Sequence, residues 1–144
     1  MGRLAKFVAL SPAERRLLVG AASLLATVRL ALWVLPFGWA HRSLATFGIR
    51  RRSPRGDTLP VERIVWAVSA AARLVPGATC LVRALAAQIL LARRGYASQL
   101  RLGAAAGLGR PFEAHAWIER DGQVLIGGPV DARYVPFPAL NPRR

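Results

Sequence analysis

The chain has 144 residues, 53% of them hydrophobic, enough for one domain with a real core and too few for two comfortable ones. Lysine and arginine total 21 against 7 aspartates and glutamates, a net charge of +14 that favours anionic partners, and Lys6 is the only lysine. The arginines are scattered, and with neither a recognisable module nor an interleaved aromatic platform the composition argues against a nucleic-acid binder.

A single cysteine, Cys80, excludes a disulfide framework and any CxxC metal site. With His41 and His115 as the only histidines, a zinc site would need unusual help from carboxylates, so neither a metal nor a cofactor is expected. The chain fits a reducing compartment, most simply a bacterial cytoplasm.

Ser11-Pro12-Ala13-Glu14 is a helix-start signature: a capping serine, a proline suited to the first helical position, and a glutamate that completes a capping box. It predicts a helix to about Leu35. The body from Leu17 to Ala40 is apolar nearly all round, interrupted by Arg29 and ended by Pro36. A spanning helix wants about 20 apolar residues without a central charge, so a buried or membrane-surface helix is preferred to a transmembrane one. His41 to Leu59 is a polar linker with an arginine run at Arg50 to Arg55, and His41 reads as a surface residue. The expected organisation is residues 1–59 as hydrophobic helix and Arg-rich linker, and 60–144 as the working domain.

Apolar residues at helical spacing predict a second helix from Pro60 to Leu74, stopped by Val75-Pro76-Gly77-Ala78. Thr79 is a good cap for a third, which starts at Cys80, runs to Arg94 and stops at Gly95. Ser98 to Leu102 alternates as a strand, a Gly and Ala-rich linker follows, and Glu113 to Glu119 alternates again. Asp121-Gly122 signals a hairpin turn into Gln123 to Ile126, and a short strand is expected around Tyr134.

A cysteine in the first turn of a helix sits among unpaired backbone N–H groups at the positive end of the helix dipole, and both favour thiolate over thiol. His115, mid-strand, shares a face with Glu113 and Trp117, while Ala114 and Ala116 point the other way and leave room for a close helix. A thiol nucleophile and its general base are the chemistry this spacing permits. The competing reading is a half-buried histidine beside a buried structural thiol, in a non-catalytic scaffold of a peptide-maturation complex. A basic membrane-surface or nucleic-acid-binding protein is a further alternative.

The segments CLVRALAAQILLARRGYASQLRLG and PFEAHAWIERDGQVLIGG closely resemble the leader peptidases of lasso-peptide biosynthesis, stand-alone cysteine proteases of transglutaminase-like type. The resemblance covers roughly Val61 to Leu140. It implies an α+β fold with a papain-like core, in which a Cys-bearing helix packs on a small antiparallel sheet behind N-terminal helices. It also implies cleavage of a ribosomally made precursor at its leader–core junction, with the nucleophile on Cys80 and the base on His115. Implied partners are the precursor, a separate winged-helix leader-binding protein and an asparagine-synthetase-like macrolactam cyclase. For a cytoplasmic protein, the composition of residues 17–35 leaves open a peripheral membrane contact, packing against the core or packing against another subunit.

The family's third position does not carry over. Pairing the strands about Asp121-Gly122 sets Ala116 opposite Gly127, where many members place an acid that orients the histidine. Asp131 is the preferred substitute, with Glu113, a backbone carbonyl or a water as the other options.

Overall fold

A computed structural model of the chain describes residues 2–36, 38–39, 42–43, 59–107, 109–128 and 134–137. Among these are four helices, α1 (Arg3–Ala9), α2 (Pro12–Val34), α3 (Val61–Ala72) and α4 (Cys80–Arg93). Four strands follow, β1 (Gln99–Gly107), β2 (Arg110–Arg120), β3 (Gln123–Ile126) and β4 (Val135–Pro136), in one antiparallel sheet of order β3-β2-β1-β4. The α+β class expected from the sequence is the observed one.

The first long helix begins as its signature predicts. Ser11 Oγ accepts from the Glu14 N–H at 3.2 Å, and the Ser11 N–H donates to Glu14 Oε2 at 2.9 Å, so each side chain satisfies the other residue's orphan backbone N–H. Those bonds from Ser11 hold the Glu14 carboxyl below its usual range. The same carboxylate pairs with Arg63 of α3 at 3.0 Å. Leu17, Leu18, Ala21, Leu24, Leu25 and Val28 form the buried stripe of α2, spaced as one helical face, and it enters the same core as α3 and α4. By length and composition α2 could also cross a membrane, with a third of its apolar window buried. Its opposite side exposes Val19, Leu30, Trp33 and Val34.

α4 is the central element. Ala84, Leu85, Ala86, Ala87 and Leu91 are all at or near zero exposure, because α2 and α3 cover one side of the helix and the sheet covers another. Its small residues permit that close approach. The helix ends in a Schellman motif: the Tyr96 N–H reaches Leu91 O at 2.9 Å and the Gly95 N–H reaches Ala92 O at 3.0 Å, with Gly95 at φ +81°. The Tyr96 hydroxyl then donates to Leu59 O at 2.9 Å, fixing the chain's entry into α3.

The sheet is larger than the sequence alternation suggests. β1 continues through the expected Gly and Ala-rich linker to Gly107, and β2 begins at Arg110. Small residues give no alternation to read, but here they have a packing reason. A Cβ on Gly103 would meet the Trp117 indole at 2.8 Å, so the ring lies directly on the glycine. Ile118 and Leu100, paired across β1 and β2, are fully buried in the helix-facing core.

The hairpin register departs from the simple pairing. Arg120 does face Gln123 and Glu119 faces Val124, but a bulge follows and Ile118 pairs with Ile126. The extra residue, Leu125, moves Gly127 from Ala116 to Trp117. A Cβ added at Gly127 would lie 2.8 Å from Ala116 O and 2.9 Å from Trp117 Cβ, and its φ is +91°. Both facts demand glycine: an acid at this position does not fit the strand as it runs here.

Candidate active site

Thr79 caps α4 as its sequence position predicts, its Oγ1 accepting from the Val82 N–H at 3.4 Å. Thr79 O takes the Arg83 N–H at 3.0 Å. Of the first-turn donors, the N–H groups of Cys80 and Leu81 are then left without an intrahelical acceptor. Cys80 is half-buried, with its thiol uncombined.

The histidine reaches the same place from the sheet. β3 is short, and its pairing with β2 ends at Ile118, so the stretch of β2 holding His115 has no β3 partner among the described residues. A cavity of about 720 Å³ opens at this step, and Cys80 and His115 both line it, together with Ser69 of α3, Arg83 of α4 and Gly127. Two residues predicted separately, from a helix start and a strand centre, are thus brought to one cleft. Among the described contacts the thiol and the imidazole share no hydrogen bond.

His115 Nε2 donates to Gly127 O at 2.5 Å. A carbonyl oxygen can only accept, so Nε2 carries the proton and the neutral ring keeps its lone pair on Nδ1. The backbone of residue 127 does what an orienting acid does for tautomer, without the charge. Trp117 stacks on the imidazole at 6.0 Å between centroids and 22° between planes, and Tyr134 covers it at 5.4 Å. Trp117 is itself held by donation from Nε1 to Glu119 Oε1 at 2.7 Å.

Of the candidates for the third role, Glu113 accepts from the Tyr134 hydroxyl at 3.1 Å and makes no bond to the imidazole. Asp131, His41 and the arginine run from Arg50 to Arg55 lie outside the described residues. Arg83 and Ser69 belong to the cleft but not to the residues picked out from the sequence. Arg83 was within reach of sequence reasoning, because it lies one helical turn after Cys80 on the same face. Ser69 was not, since only the packing of α3 on α4 brings it there. Among the described residues no group of three or more His, Cys, Asp or Glu side chains gathers to hold a metal.

A thiol at a capped helix start and an imidazole of fixed tautomer line one open cleft on a helix-and-antiparallel-sheet scaffold, the arrangement that thiol-nucleophile chemistry requires. Residues 24–138 match the model of the transglutaminase-like superfamily, and the chain belongs to it. That superfamily includes cysteine proteases. No curated protein and no solved structure matches the chain.

Proposed function

We propose that the protein is a cysteine endopeptidase that removes the leader from a ribosomally synthesised lasso-peptide precursor. The observation that carries the chemical part of this reading is the shared cleft of Cys80 and His115, with the Nε2–H bound to Gly127 O and Nδ1 left basic. His115 Nδ1 takes the thiol proton as Sγ attacks the scissile carbonyl carbon. The free N–H groups of Cys80 and Leu81 receive the oxyanion of the tetrahedral intermediate. As it collapses, the C–N bond breaks and His115 returns the proton to the leaving amine. Water, deprotonated by the same nitrogen, then hydrolyses the thioester and restores the thiol.

The orienting role in this scheme falls to Gly127 O; Glu113 is engaged by Tyr134 instead, and Asp131 lies outside the described residues. A neutral carbonyl fixes the tautomer but stabilises the imidazolium less than a carboxylate would, which suits a slow processing enzyme more than a digestive one. The substrate assignment is supported by the CLxRAL, RRG and FxAHAW patterns and by membership of a superfamily that includes cysteine proteases. The same reading makes a separate winged-helix protein the leader-binding partner, and an asparagine-synthetase-like cyclase the consumer of the freed core. The +14 charge favours docking on acidic surfaces of such partners. The same reading makes it a cytoplasmic protein.

The test is mass spectrometry of the precursor incubated with its leader-binding partner and either wild-type enzyme, Cys80→Ala or His115→Ala. Both substitutions should lower processing by at least about 10³-fold while the protein stays folded. Processing by Cys80→Ala at the wild-type rate would end the proposal.

A further inference from the structure

The turn that presents Cys80 has a second side. Ala78, Cys80 and Arg83 line the cleft, whereas Thr79, Leu81 and Val82 form one wall of a separate groove of about 940 Å³. The opposite wall is the outer part of α2, with Leu30 58% and Trp33 86% exposed. Leucines, valines, Pro76 and the indole make this groove apolar. Among its described lining residues the one charged side chain is that of Arg29, which interrupts the apolar run of α2.

Arg29 is closely placed. A Cβ on Gly77 would lie 2.7 Å from its Cζ and Nε, so the guanidinium rests on the glycine, two residues before the cap of α4. Among the described residues no acid lines the groove and no carboxylate pairs with Arg29. A cation beside apolar walls with no counter-ion is matched by an apolar ligand bearing one carboxylate, and partial desolvation makes such a pair worth more than one in open water.

A lipid acid has that chemistry as well as a peptide. Adjacency to the cleft, across the single turn that carries Cys80, favours the peptide. A chain leaving the cleft reaches the groove by crossing the first turn of α4, about 10 Å with its side chains, or about three extended residues. We propose that this groove binds an apolar stretch of the peptide substrate that carries a carboxylate about three to five residues from the scissile bond, with Arg29 as its ion-pair partner. Binding there holds the peptide against the turn that aims Cys80, so contacts remote from the reacting carbonyl serve orientation. The assignment rests on the peptidase reading of Cys80.

Immobilised Cys80→Ser protein, panned against a random dodecapeptide library, should enrich peptides that combine apolar residues with Asp or Glu. A fluorescein-labelled peptide from that set should bind Arg29→Glu at least about tenfold more weakly by anisotropy. Leu30→Asp should weaken it too, and the melting temperature should hold in both, since each side chain is exposed. Enrichment without acids, affinity indifferent to Arg29→Glu, or no enrichment at all would overturn the proposal. So would an Arg29-dependent association confined to phosphatidylglycerol vesicles, which would make the groove a lipid site. Panning needs no turnover: acid-selective binding without precursor cleavage by wild-type enzyme sinks the peptidase reading, while cleavage with Arg29-independent binding sinks only the groove.

Discussion

The cleft and the groove on either side of the α4 first turn are built by opposite means. On the cleft side backbone acceptors set the polar groups: Thr79 O takes the Arg83 N–H beneath Cys80, and Gly127 O fixes the His115 ring. On the groove side the backbone of α2 is occupied inside the helix, and the side chains Ala26, Leu30, Leu32 and Trp33 give that wall an apolar surface broken by Arg29. Backbone groups hold a reacting atom with little rotamer freedom, which chemistry requires. Side chains supply area and charge, which suit recognition. The same turn carries one on each side.

That contrast can be broken at α2 first. Leu25 is fully buried in the inner stripe and Leu30 is 58% exposed on the outer one. Leu25→Ala should cost about 2–5 kcal/mol of stability, from lost burial and the cavity left behind. Leu30→Ala should change it by less than about 0.5 kcal/mol. Urea denaturation of the two variants measures both. Equal losses would mean that the outer face of α2 is packed, and that no open groove exists.

A second comparison separates the two reasons for glycine at the hairpin. Gly127 combines φ +91° with a space that a methyl group would overfill, whereas Gly109 has φ +78° and nothing within 4 Å. Gly127→Ala should cost about 2–3 kcal/mol and reduce turnover, because the carbonyl that orients His115 must move. Gly109→Ala should cost about 1 kcal/mol with turnover unchanged. Thermal denaturation alongside precursor cleavage distinguishes them. A modest effect belongs to the cap: Thr79→Ala should lose about 1 kcal/mol. It should also slow turnover, since the first turn frays beneath the nucleophile.

Legibility in the sequence followed the range of the forces involved. Local signals were read directly: the Ser11–Glu14 capping box, Thr79 ahead of Cys80, Gly95 after α4 and the Asp121-Gly122 turn all sit where their chemistry predicted. The extent of β1 was not legible, because the alanines and glycines of residues 103–107 have no hydrophobic period. They are strand because β2 and β4 pair with them and the Trp117 indole needs the space over Gly103. The bulge at Leu125 was hidden for a similar reason, as nothing within four residues of a hairpin announces a register shift. It changes the meaning of Gly127 from a missing acid to a required backbone acceptor. Ser69 and Tyr134 entered the site through packing between distant segments, beyond any spacing rule. The pairing of Cys80 with His115 in one cleft was the expectation that depended most on tertiary structure, and the cavity between α4 and the β2–β3 hairpin brings them together.

The central claim is that the imidazole of His115, oriented by Gly127 O, activates the thiol of Cys80. The rate of Cys80 alkylation by iodoacetamide at neutral pH, followed by intact-mass spectrometry, tests it without substrate or partner. Wild-type protein should be alkylated at least about tenfold faster than His115→Ala. Equal rates in the two proteins, or a thiol that stays unmodified in both, would contradict it and leave Cys80 a structural residue.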